Sequence, residues 1–134
     1  MVDAVCVPPD QTALAWPFIE KYVKAAIAET SMVDIDMLRR KLATGEYLLW
    51  LACEGREVLA AAVTSLEKAN GVKFATIIIC GGHSMERWVS LIGRLEAWAR
   101  VEGARHISIW GRRGWLRVLD GYRDKAVILE KELK

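Results

Sequence analysis

The sequence predicts a mixed α/β fold, a largely antiparallel sheet flanked by helices. Three observations carry that expectation. "YLLWLACEGREVLAAAVTSLEKANGVKFATIIICGG" reads as three strands joined by the tight turns "EGR" and "NG", and hairpin connections make neighbouring strands antiparallel. "MERWVSLIGRLEAWARVEG" places Trp88, Leu91, Ile92, Leu95, Trp98 and Ala99 on one helical face, with Arg87, Arg94, Glu96 and Arg100 elsewhere. A short apolar strand, "HISIWG", follows that helix after Gly103.

Taken in chain order, "AVCV" is expected as an edge strand. "TALAWPFIEKYVKAAIAET" has Ile19, Tyr22, Val23, Ala26 and Ile27 at helical spacing, with Pro17 placed in an early turn. In "DIDMLRRKLATG", Ile35, Leu38 and Leu42 share a face, Asp34 is the expected cap and Gly45 the stop. The strands near "AAAVT" and "ATIIIC" are expected at the sheet centre. The 86–102 segment is expected as one helix packed on them, with Trp98 buried beneath it. "GWLRVLDGY" is expected as a brief helix, with Trp115 filling a core gap as it begins. "KAVILEKEL" is expected as a closing strand with Val127, Leu129 and Leu133 on one face.

Residues 1–134 are expected to form one domain, long enough for a sizeable core. Hydrophobic residues at 53% and charged residues at 27% exclude a disordered chain. No apolar run reaches membrane-spanning length, and "MVDAVCVPPD" lacks the basic-then-apolar order of a secretory signal. Cys6, Cys53 and Cys80 are odd in number and widely spaced, and their apolar surroundings suit free core thiols. A cytoplasmic location follows as the expectation. His83 and His106 show no ligand spacing with each other or with a cysteine pair, so no metal is expected.

The net charge is only +2, but seven Lys/Arg residues between Arg100 and Lys125 face only Glu102, Asp120 and Asp124. That excess suits an anionic partner, and it equally suits a solvated basic face.

The element order, the helix ending "LEAWARVEG" and the later "LDGY" together resemble the GNAT superfamily of N-acetyltransferases. The resemblance runs from about Trp16 to the C-terminus. "GEYLLW", "AAAVT" and "GRRGW" are similar to segments of small GNAT-like proteins encoded by phages and prophages. That resemblance implies a GNAT fold, acetyl-CoA or CoA as cofactor, and a pyrophosphate loop of the form Q/R-x-x-G-x-G/A before the main helix. Counting back from "LEAWARVEG" lays the motif on "HSMERW". His83 takes the Gln/Arg place, Glu86 the first glycine and Trp88 the small final residue.

These departures are adverse to a phosphate. Two unit charges about 4 Å apart interact by roughly 4 kcal/mol at an effective dielectric of 20, and Glu86 brings the wrong sign. Trp88 adds bulk where main chain must lie bare. Cys80, Gly81, Gly82, His83, Ser84 and Arg87 remain as the candidate CoA or anion loop, with Ser84 or Glu86 expected to cap the helix amides. The resemblance also implies a tyrosine acid before a "GF" dipeptide; matched on Gly121–Tyr122, that place holds Arg117, which keeps its proton. No general base is evident on the fourth-strand side, where Glu67 reads as an exposed strand-end residue, and no catalytic residue is assigned.

Three functions follow. The first is a GNAT-fold protein of phage type with reduced or no acetyltransferase activity, its partners phage proteins or a second copy, cytoplasmic or virion-associated. The second is an active acyl-CoA-dependent N-acyltransferase with an atypical loop. The third is an anion or nucleic-acid module using "GRRGWLR", where Arg112, Arg113 and Arg117 would supply charge, and Trp110 and Trp115 stacking surfaces. Inward-packed tryptophans and solvated arginines explain that last pattern more simply. Whether the chain is an enzyme stays open.

Overall fold

The computed structural model describes residues 1–134 apart from Ser31, Met32, Arg112, Val127 and Lys134 and the side chains of Glu29, Thr30 and Arg113. Its elements are β1 (Asp3–Val7), α1 (Thr12–Thr30), α2 (Ile35–Thr44), β2 (Tyr47–Glu54), β3 (Glu57–Ala69), β4 (Val72–Gly82), α3 (Met85–Trp88), α4 (Ser90–Val101) and β5 (His106–Ile109). A 3-10 turn over Arg113–Arg117 stands in place of the expected brief helix. The strands form one sheet in the order β1-β2-β3-β4-β5, antiparallel throughout except for the parallel β4–β5 pair. No helix among the described residues is long and apolar enough to cross a membrane.

Local chemistry explains the boundaries. Asp34 caps α2 by accepting from the Asp36 amide at 3.0 Å, and Gly45 closes it with φ +85. The β3–β4 hairpin turns on Asn70 and Gly71, at φ 53 and φ 78, a pair in the left-handed region that a two-residue primed turn requires. Pro17 falls inside α1 rather than in its first turn, so the Ala13 carbonyl loses its usual helical donor.

Two apolar cores lie on opposite faces of the sheet. On one, Ile19 and Val23 of α1 and Leu38 and Leu42 of α2 meet Leu49, Val63, Ile78 and Ile79. On the other, Leu91, Ile92 and Leu95 of α4 meet Trp50, Leu59, Ala62 and Ile77. β3 is the central strand, with β4 beside it, as expected. Its pairing with β4 slips between Val63 and Thr64, so Ile78 and Ile79 both face the α1 side while Ile77 and Cys80 face α4.

Four expectations change. The helix over 86–102 forms as two segments, with Val89 as the interruption. Trp98 is half-buried, standing edge-on to Trp50 at 5.6 Å, because it lies at the flank of the α4 stripe. Cys6 is exposed on the edge strand β1, so it is not a core thiol. Among the described residues the closing strand does not form: Leu129 is 91% and Leu133 84% exposed, and Val127 lies outside the described residues. β5 is only four residues long, so its edge offers few ladder bonds against the entropy of ordering a further strand.

Candidate functional site

The candidate loop leaves the C-terminal end of β4. Gly81 and Gly82 are required there by packing. A Cβ on Gly81 would stand 3.0 Å from the Tyr22 carbonyl oxygen of α1, and one on Gly82 would overlap the Leu59 carbonyl and the Ala60 side chain of β3. Both glycines therefore let β4 press against its neighbours, a role independent of any phosphate. The His83 amide extends the ladder by donating to the Leu59 carbonyl at 3.0 Å. Ser84 then takes φ 56 and ψ 59, the left-handed turn from which α3 starts. No side chain caps that start. The cap expected from Ser84 or Glu86 is absent: the Ser84 hydroxyl lies 3.3 Å from His83 Nδ1, and the Glu86 side chain is exposed.

Two side chains of the loop, His83 and Arg87, meet carboxylates at the β2–β3 turn. Arg87 donates to Glu54 Oε2 at 2.5 Å and to Glu57 Oε1 at 3.4 Å. His83 Nε2 lies 3.4 Å from Glu57 Oε2. The Arg87 hydrogen bond, then the Met1 amino group, holds the Glu54 carboxyl below its ordinary pKa, and Glu54 in turn raises Arg87. Cys80 packs against the α4 core, and burial pushes its thiol up to about 12. A neutral, desolvated thiol neither attacks nor attracts an anion.

Trp88 fills the remaining space. It is 1% exposed, and its indole N–H donates to the His83 carbonyl at 2.9 Å, tying the start of the helix back to the loop. Its ring meets Trp115 at 6.3 Å in a T-shaped contact. Trp115 in turn lies against Gly111, where an added Cβ would be 2.7 Å from Nε1. The two indoles thus span from α3 to the main chain leaving β5. β4 and β5 separate just here: their pairing ends at Ile77–Ile109, and β4 runs on to Gly82.

The structure brings Cys80, Gly81, Gly82, His83, Ser84 and Arg87 together at this end of the sheet. It does not bring Glu67 or Arg117 with them. Glu67 is exposed and pairs with Phe74 near the opposite end of β3. Arg117 is exposed on its 3-10 turn. Tyr122 donates through Oη to Glu96 Oε2 at 2.7 Å, and burial together with that carboxylate raises its pKa, so it holds its proton. Trp115 is half-buried rather than fully buried, and its contact with Trp88 removes it from the stacking surface that a nucleic acid would need.

Glu54 and Glu57 are the loop's neighbours that sequence reading missed. A hairpin count outward from the Asn70–Gly71 turn points Glu57 toward the residues just past Gly82, while Glu54 joins it only through the β2–β3 pairing. Beside them lies an open cleft of about 720 Å³, lined by Phe18, Lys21, Tyr22 and Lys24 of α1 with Glu57 and His83.

No protein-family model and no curated protein matches the chain. Solved structures do. An aminoglycoside acetyltransferase from an uncultured soil metagenomic sample, in complex with sisomicin, superposes with TM-score 0.73 at 11% identity, over 99% of this chain and 97% of its own. A predicted acetyltransferase with acetyl-CoA from Clostridium acetobutylicum matches with TM-score 0.68 at 16% identity, covering 98% and 96%. A transcriptional regulator from Bacillus halodurans C-125 matches with TM-score 0.65 at 15% identity, covering 99% and 100%. At such identities the likeness speaks for architecture alone, and it covers nearly the whole of each chain. The chain has the GNAT acetyltransferase fold.

Proposed function

We propose that this chain is a GNAT-fold protein with reduced or no acetyl-CoA-dependent activity, of the accessory kind that phages and prophages encode. One observation carries the reading: the place where a pyrophosphate would sit against the α3 start is answered from within the protein. Trp88 closes the loop through its bond to the His83 carbonyl. Arg87, the loop's permanent cation, is held by Glu54 and Glu57. An incoming phosphate would have to displace two carboxylates and would meet Glu86 as well, in a place where like charges repel. The Clostridium acetobutylicum neighbour, whose structure includes acetyl-CoA, indicates that the fold can hold this cofactor. The residues of this loop do not fit it, so no acyl-transfer step is derived through them.

The working-acyltransferase reading draws its support from the uncapped start of α3. Calorimetric titration with acetyl-CoA and with CoA separates the two. The expected result is no heat of binding and no thermal shift at millimolar ligand. Binding at micromolar concentration would overturn the proposal and make the acyltransferase reading the better one.

A further inference from the structure

We propose that Ser84, His83 and Glu57 form a hydrolytic triad that cleaves uncharged carboxylic esters seated in the cleft beside α1. The three side chains follow one another in contact. The Ser84 hydroxyl lies 3.3 Å from His83 Nδ1, and His83 Nε2 lies 3.4 Å from Glu57 Oε2. A carboxylate facing Nε2 favours the tautomer that carries its proton there, which leaves Nδ1 bare to accept from the hydroxyl. Both partners of the serine are braced. Arg87 donates to the other oxygen of Glu57 at 3.4 Å and is itself bonded to Glu54. The Tyr22 ring stands 6.0 Å from the imidazole, and Tyr22 Oη donates to the Val58 carbonyl at 3.0 Å, which fixes that ring.

The main chain presents the nucleophile. β4 ends at Gly82, and His83 and Ser84 make the turn to α3, with Ser84 exposed at φ 56 and ψ 59. A non-glycine residue in that region is uncommon, and a sharp strand-to-helix turn is where G-x-S-x-G hydrolases expose their serine. Gly82-His83-Ser84 keeps the first part of that order. Glu86 stands in place of the second glycine; its side chain is exposed, and the turn forms without that glycine. His83 and Glu57 line the cleft, whose other walls include Phe18, Tyr22 and Val58. Its volume of about 720 Å³ suits a small molecule. Lys24 is paired with Glu20 at 2.7 Å, and Lys21 lies over the Tyr22 ring at 5.0 Å. With those cations engaged, the walls favour an ester with no charge and an apolar acyl group.

Ser84 Oγ attacks the carbonyl carbon of the ester as its proton passes to His83 Nδ1. The carbonyl re-forms, the bond to the alkoxy oxygen breaks, and the leaving alcohol takes the proton from Nδ1. Water then attacks the acyl carbon and gives a proton to Nδ1. The bond from Ser84 Oγ to the acyl carbon breaks, and Oγ regains that proton. One ester and one water become one alcohol and one carboxylic acid. Ser84 and His83 touch the reacting atoms; Glu57 is a positioning residue, acting through the imidazole.

Turnover of p-nitrophenyl acetate and p-nitrophenyl butyrate by the full chain tests this, with a fluorophosphonate probe and mass spectrometry to locate the nucleophile. No CoA is present, so the outcome is independent of whether the loop binds it. The expected result is sustained release of p-nitrophenol and a probe adduct on Ser84. Ser84→Gly suits the positive φ and keeps the turn, so it should fold; it should lower kcat about a hundredfold and remove the adduct. His83→Gln should lower kcat by a similar factor. Glu57→Gln should lower kcat with KM unchanged and with the circular dichroism spectrum of the wild type. A wild-type chain that neither turns over ester nor takes the probe would overturn the proposal. So would a Ser84→Gly chain as fast as wild type, an adduct on another residue, or labelling of Ser84 without turnover.

Discussion

Trp88 has two separable duties, filling the α4 core and bonding the His83 carbonyl. Trp88→Ala should cost about 3–5 kcal/mol in urea unfolding, as deletion of a buried large aromatic does. Trp88→Phe should cost less, since it keeps most of the ring and loses the hydrogen bond. Trp115→Ala should cost about 1–3 kcal/mol, below the figure for a fully buried tryptophan, because its ring is only half-covered. Glu54 supplies a pH prediction. Its pKa is lowered by the Arg87 hydrogen bond, so its contribution is present above the ordinary carboxylate range and fades as pH falls through the folded-state value. Exposure keeps that contribution small. In a carboxyl-carbon titration by NMR, Glu54 should titrate below 4.5, and Arg87→Ala should move it back up.

The elements meet at two points where chemistry is exacting. Trp50 of β2 donates through its indole nitrogen to Thr64 Oγ1 of β3 at 3.0 Å, inside the core that faces α4. Thr64→Val removes the acceptor and leaves a buried N–H unpaired, an expected loss of about 1–3 kcal/mol in thermal or chemical denaturation. The second point is the end of β4. Gly82→Ala should be costlier than Gly81→Ala, since its Cβ would meet the β3 main chain while that of Gly81 meets only the Tyr22 carbonyl at a tight contact. An overpacking loss of about 1–3 kcal/mol is expected for the milder case. Equal losses for the two would contradict the packing described here.

Across the whole molecule, one sheet carries both cores, and β3 contributes side chains to each. Damage on either face should therefore lower a single transition. Leu42→Ala on the α2 side and Leu95→Ala on the α4 side should each cost about 2–5 kcal/mol. Unfolding followed by circular dichroism and by tryptophan fluorescence should give coincident curves for both variants. Two separated transitions would mean that the helical layers unfold independently.

Short-range chemistry explains why so much of the sheet was legible. The "NG" turn, the Asp34 cap and the Gly45 stop are fixed by residues within a few positions of one another, and each stands where the sequence placed it. The loop's departure from the resembled motif was legible too, since Glu86 and Trp88 stand in places that the resemblance assigns to small residues. Contacts between distant segments decided the rest. Only the β3–β4 register brings Glu57 to His83, and with Glu54 it occupies Arg87; only the packing of α3 turns Trp88 inward onto a carbonyl five residues earlier. "KAVILEKEL" shows the converse limit. Its alternation is that of a strand, but a strand exists only against a partner edge, and alternation within one segment does not say which edge will be free to receive it.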